Sequence, residues 1–371
     1  MATGVKIALA ALGIGGLGVL LATYEPSRPQ SAEFSAAYRQ QSQGKVQFEI
    51  PEAYELVNTC ILLGGYSQNN HQEQFKSTAY GKEILGYFGK YASHPCIKKF
   101  AEKIKTINNN YAVREPSYSY TFDQSGKLSE TGPYGGLVSY EQKLLPSLIS
   151  DLEDFAKVSN FRSFSADHAD FYAREKKIFQ QLADVPSMWK WLESKFPERV
   201  SSYRIICSPL TGGNHRTARG QDGDFMEILM FVSAPEDKKT FSRREQARLM
   251  FMVFTEIDHN YVNPSTVRVK GVEKAMGDWK KWGGGQTSYR GAEMVWNEYM
   301  TWALFTLYSH DRFKGPDAEV GIPDLVEKME SRGFGRFRAF NDELLKFYRA
   351  NRFATGDELT AHMMDWCANQ P

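Results

Sequence analysis

Thr255-Glu256-Ile257-Asp258-His259 places two carboxylates and an imidazole at the end of an apolar run that includes Ala247, Leu249, Met250, Met252, Val253 and Phe254. Ionisable groups among apolar neighbours cost free energy unless they are paired or bind something, so this is where chemistry is expected. A His-Glu-x-x-His helix sets two imidazoles one turn apart on one face, where both reach a zinc ion. The glutamate beside them then serves as general base towards the zinc-bound water. Glu256 and His259 hold the second and fifth places of that pattern, and Thr255 holds the first. A third ligand would come from the next helix, where Glu298 stands in Trp296-Asn297-Glu298-Tyr299-Met300; Glu293 lies nearer that helix's start. Two candidates could replace the missing imidazole. Asp258 follows Thr255 by three residues and so lies near the same helical face, and His215 belongs to the loop Thr211-Gly212-Gly213-Asn214-His215.

The surrounding elements have to position these groups. Ser242-Arg-Arg-Glu245 is a capping box, in which the serine hydroxyl and the glutamate carboxylate each satisfy an unpaired backbone donor; a buried helix starts there and is expected to end at Asn263-Pro264. A second buried helix is expected from about Ala292 to Leu307, after the Gly283-Gly284-Gly285 stretch. Its aromatic residues, Trp296, Tyr299, Trp302, Phe305 and Tyr308, have the spacing of a packed helix face. Upstream, Tyr203–Cys207 and Phe225–Val232 read as a pair of strands, with Ser208–Asp224 an irregular loop between them. Ile50–Leu63, Ile84–Lys105, Tyr140–Val158 and Ala166–Phe196 have helical periodicity, and two or three more helices follow Ile322. Tyr118, Tyr120 and Phe122 alternate with polar residues, as in a half-exposed strand ending at the turn Asp123–Lys127.

Composition narrows the function. Lys and Arg total 45 against 44 Asp and Glu, a net charge of +1, so nothing in the bulk charge favours nucleic acid as a partner. The four cysteines, Cys60, Cys96, Cys207 and Cys367, form no Cys-x-x-Cys pair, which argues against a zinc ribbon or an iron–sulfur site and leaves room for one bridge, Cys60 to Cys96 being a candidate. Ile7–Ala22 is an uncharged apolar run after Lys6, with the outline of an export signal or of a membrane anchor through residues 7–24. Gly13, Gly15 and Gly18 inside it spell a dinucleotide fingerprint without the second strand and acid such a site needs.

The likeness to known proteins extends beyond the Glu-x-x-His spacing. Ile50-Pro51-Glu52-Ala53-Tyr54-Glu55-Leu56-Val57-Asn58, Tyr87-Phe88 through His94-Pro95, Ile206-Cys207-Ser208-Pro209-Leu210 and the segment from Phe254 to Tyr261-Val262-Asn263-Pro264 resemble a bacterial family of exported proteins of unknown function with a gluzincin-like metallopeptidase core. The resemblance spans roughly residues 48 to 310. It implies Glu256 as general base, His259 and Glu298 as zinc ligands, zinc as cofactor, and a peptide or protein as substrate or ligand. The family's pattern has histidine where this chain has Thr255, which implies an impaired or lost peptidase activity in an exported, envelope-located protein.

The expected architecture is α+β and predominantly helical, with a zincin-like core in which a small sheet packs on the buried helix. Its expected divisions are a signal or anchor (1–24), a polar linker (25–46), a mainly helical part (47–200), the core (201–310) and C-terminal helices (311–371). Three readings of Glu256 and His259 stand open. They are a hydrogen-bonded pair that only satisfies a buried polar spot, a metallopeptidase whose ligand set includes Thr255, Asp258 or His215, or a peptidase relative that has lost activity. In the last case the cleft would hold a peptide by β-addition along Phe225–Val232.

Overall fold

The computed structural model describes residues 30–65, 78–107, 110–131, 133, 144–211, 215–235, 240–284 and 289–371. The signal or anchor, the three early glycines and the loop residues 212–214 lie outside them. The chain is α+β and mostly helical, with one small mixed sheet.

The sheet contains β1 (Gln30–Ser31), β2 (Val46–Glu49), β5 (Ser202–Ser208), β6 (Arg216–Asp222) and β7 (Phe225–Ser233) in the order β1-β6-β7-β5-β2. Only the β6–β7 pair is antiparallel. β5 is buried along its whole length, and its one charged residue, Arg204, is paired with Glu49 and Glu227. The alternation of side chains across the strands divides the interior. Tyr203, Ile205, Ile228 and Met230 face the main core, whereas Ile206, Leu229 and Phe231 meet Phe34, Tyr54 and Tyr118 on the other side. A separate helical core in the N-terminal half contains Leu56, Val57, Phe88, Phe100 and Phe155. The C-terminal helices share the main core, since Phe337, Phe340 and Met363 belong to the same cluster as Phe254 and Tyr299.

The structure corrects five sequence expectations. Ser208–Asp224 is not an irregular loop throughout, because β6 runs through it and pairs with β7 from Arg216↔Phe231 to Asp222↔Phe225. Arg-Thr-Ala-Arg-Gly-Gln-Asp has no strand periodicity of its own, and its strand form depends on β7 and on the tight Gly223-Asp224 turn, where Gly223 has φ +62°. β7 lies between β5 and β6, so both of its edges are paired and a peptide cannot add to Phe225–Val232. Ile84–Lys105 is two helices, α3 (Ala79–Phe88) and α4 (Pro95–Ile107), broken ahead of Pro95. The central helix passes through Pro264 and ends at Val269. Proline costs a helix interior about 3 kcal/mol, but the turns beyond it are anchored: Ser265 Oγ donates to Asp357 at 2.6 Å and Arg268 pairs with Glu198 and Asp357. The Tyr118–Phe122 reading shortens to β3 (Tyr120–Phe122), which forms a hairpin with β4 (Leu128–Glu130) around the expected turn.

Glu55, on α2 (Glu52–Leu63), is wholly buried. Burial pushes its carboxyl up to about 7, and the neighbouring hydroxyls of Ser208 and Tyr80 offset only part of that rise. A raised acid holds its proton in the folded chain while the unfolded chain releases it, so folding stability falls as pH rises from about 4.5 to 7. The prediction is that Glu55→Gln flattens this slope in urea titrations repeated across that range, removing a loss on the order of 3 kcal/mol. An unchanged slope would mean that Glu55 is not the group responsible.

Candidate functional site

The site lies where three helices meet. α9 (Arg243–Val269) begins at the expected capping box, in which Ser242 accepts from the Glu245 N–H and the Glu245 carboxylate accepts from the Ser242 N–H at 2.8 Å. Its first turns are tied to α12 (Ile322–Ser331) through Arg244 and Arg248, which both bind Asp324. α11 (Ala292–Arg312) lies alongside. Phe254 stacks on Tyr308 with ring centroids 5.1 Å apart, and Thr266 Oγ1 donates to Asn297 Oδ1 at 2.8 Å while accepting from Trp296 Nε1 at 3.1 Å. These contacts at both ends set the helix register, and the register brings His259 to Glu298.

Glu298 is buried and ion-paired at both oxygens. His259 Nε2 is 3.6 Å from Oε1, and Arg332 Nη2 donates to Oε2 at 2.7 Å. The other imidazole nitrogen, Nδ1, is 3.4 Å from Asn263 Oδ1, one helical turn further on. Arg332 also donates to the Tyr289 hydroxyl at 2.9 Å, and its guanidinium lies over the rings of Trp302, Phe334 and Tyr289 at 4.9, 5.2 and 5.5 Å. Such a cage favours a delocalised planar cation. Arg332 caps α12, and Gly333 turns the chain with φ +99°. A Cβ at Gly283 would sit 2.0 Å from the Gly333 carbonyl oxygen, so this position has to be glycine for the Arg332 turn to dock.

The charges follow from this geometry. Burial would raise Glu298, but the Arg332 charge and the His259 hydrogen bond and charge overcome it and hold the carboxyl down at about 2. Burial would lower His259, and the hydrogen bond and charge of Glu298 reverse that, so the imidazole pKa is raised. Desolvation pushes Glu256 up to about 7, with Glu298 adding to the rise and His259, Arg332 and Arg216 opposing it. Near neutral pH Glu256 can therefore give or take a proton.

Glu256, His259 and Glu298 are brought together as the spacing indicated. Thr255 is buried and its hydroxyl donates to the Met252 carbonyl at 3.2 Å, within its own helix. Asp258 is wholly buried, and burial pushes its carboxyl well above the usual range, with the nearby charges of Glu256 and Glu298 adding to the rise. None of the described contacts joins His215, just ahead of β6, to the cluster. Glu293 is exposed at the start of α11. Sequence reasoning missed Arg332 and Tyr289; the available signal was a lone arginine in the Gly-flanked run Ser331-Arg332-Gly333-Phe334-Gly335.

The residues present do not fit a zinc ion. Arg332 takes one Glu298 oxygen, and among the described residues no group of three or more His, Cys, Asp and Glu side chains is arranged to hold a metal. Searches among protein families, curated proteins and solved structures find no match to this chain.

Two predictions come from the ion pairs. Arg332→Met leaves Glu298 buried beside His259 alone and should cost about 3–5 kcal/mol in urea unfolding, the usual cost of orphaning a buried charge. Glu298→Gln/Arg332→Met should recover most of that loss. Equal losses in the two variants would show that Arg332 acts through packing alone. The second prediction concerns acid. The depressed Glu298 carboxyl adds stability above pH 4.5 that is lost as pH falls towards 2. Urea midpoints for Glu298→Gln should therefore be less acid-sensitive over that interval than those of the wild type.

Proposed function

We propose that this chain is an exported or membrane-anchored zincin-like protein that has exchanged its metal for a guanidinium and lost peptidase activity, keeping a polypeptide as its binding partner. The single observation that carries the reading is Glu298, which occupies the third-ligand place yet is bound by Arg332 at 2.7 Å. The order of elements also supports it. Three strands, β5 to β7, lead into a capped buried helix with Glu256 and His259, followed by a second buried helix with Glu298. The apolar run Ile7–Ala22 supports export or anchoring.

A metallohydrolase needs an open metal position where water is activated next to a general base. Arg332 supplies positive charge at Glu298 but cannot ligate water or lower its pKa as zinc does. Glu256 keeps its place beside the cluster without a metal-bound water to deprotonate. A polypeptide ligand follows from the resemblance of the core, and such binding does not require Glu256.

The test is elemental mass spectrometry on protein purified without chelator or affinity metal, together with a peptidase screen. The expected outcome is substoichiometric zinc and no cleavage in the wild type. Thr255→His/Arg332→Gln should gain zinc, because the imidazole is restored and the competing cation removed. Near one zinc per wild-type chain, with peptide cleavage abolished by Glu256→Gln, would instead establish a working metallopeptidase with an altered ligand set.

A further inference from the structure

Cys60 and Cys96, both free thiols in this structure, lie in the same N-terminal helical core, separate from the main core around the Glu298 cluster. Cys60 lies in the last turns of α2 and Cys96 in the first turn of α4, and both are completely buried. The two helices approach with Cα atoms within 8 Å. One turn beyond Cys60 the approach is tighter still: a Cβ placed on Gly64 would lie 3.3 Å from the Ala101 Cβ of α4, so only a glycine fits easily there. Leu56, Val57, Ile61, Ile97 and Phe100 pack around the pair. The other two cysteines belong elsewhere. Cys207 is on β5, where its thiol donates to the Glu49 carbonyl at 3.4 Å, and Cys367 is on the C-terminal helix Gly356–Ala368; both lie in the main core.

We infer that Cys60 and Cys96 are joined by a disulfide in the mature protein, formed while the chain folds in an oxidising compartment. A disulfide needs Cα atoms about 4.4–6.8 Å apart with their Cβ atoms facing, which two closely packed helices can supply. The oxidant is the disulfide of a thiol–disulfide oxidoreductase or of oxidised glutathione. One cysteine thiolate attacks that disulfide, its S–S bond breaks, and one carrier sulfur leaves as a thiolate while a mixed disulfide forms. The second cysteine attacks the mixed disulfide, the Cys60–Cys96 bond forms, and the other carrier sulfur leaves. Two electrons and two protons pass from the chain to the carrier.

Burial fixes when this happens. In the folded chain burial pushes the Cys60 thiol far up, and the Cys96 thiol beside it pushes it further, so little thiolate is present. Neither sulfur is reachable by a carrier once the core has closed. Exchange therefore precedes the packing of α2 against α4, and afterwards the bond is sealed from reductants. This makes it a structural clamp rather than a redox switch. It holds the C-terminal end of α2, whose other end carries Tyr54 onto the sheet. The inference rests on the export half of the proposed function and not on the Glu256 site.

The test starts from full-length chain, reduced and denatured, refolded in a glutathione redox buffer, then alkylated in denaturant without further reductant and mapped by peptide mass spectrometry. The expected result is alkylation of Cys207 and Cys367 alone, a cross-linked peptide containing Cys60 and Cys96, and four alkylated cysteines after reduction. The folded oxidised protein should also keep the bond in dithiothreitol until denaturant is added. Four alkylated cysteines without reduction, or a bridge that includes Cys207 or Cys367, would overturn the inference. Rapid loss of the bond from the folded protein in dithiothreitol would overturn its role as a sealed clamp.

Discussion

The arrangement of the C-terminal half depends on one buried carboxylate with a basic side chain at each oxygen. Removing an ionised carboxyl from water costs several kcal/mol even after relaxation, and only close, well-directed partners repay that. Glu298 has two, His259 from α9 and Arg332 from the end of α12, so three helices have to meet at one point for the charge to be tolerated. The rest of the architecture can be read as what keeps them there. The Arg244–Asp324–Arg248 bridge holds α12 to the start of α9, and the Thr266–Asn297–Trp296 bonds hold α11 to its end.

The same constraint explains residues that look arbitrary in isolation. Gly283 allows no side chain because the Gly333 carbonyl occupies that space, and Gly333 has to turn with positive φ so that Arg332 points back at Glu298. Tyr289, Trp302 and Phe334 enclose the guanidinium and shield the pair from water, which strengthens an ion pair of good geometry. The site is thus electrostatically complete within its own chain. It contrasts with a catalytic metal centre, where one coordination position is left open for water or substrate.

Much of this was legible in the sequence. The capping box, the apolar run to Phe254 and the Glu-x-x-His spacing are local, and each element forms where they indicate. Glu298 could be named from the order of elements, as an acid carried by the buried helix that follows. The strand β6 could not be read the same way, because Arg216–Asp222 has no periodicity and becomes a strand only when β7 offers its edge. The turns beyond Pro264 are a similar case. Local chemistry argues for a stop there, and bonds to Asp357, nearly a hundred residues downstream in sequence, keep the helix going.

The sequence by itself determined which groups would be costly to bury and which helices would bury them, because desolvation penalties and helical periodicity are properties of short segments. What satisfies the buried charge was decided only by the tertiary structure. Arg332 is 34 residues from Glu298, in a Gly-flanked segment whose own pattern does not name its partner. Its partner is set by the docking of α12 against α9 and α11, and a contact between helices so far apart in the chain depends on the packing of all three.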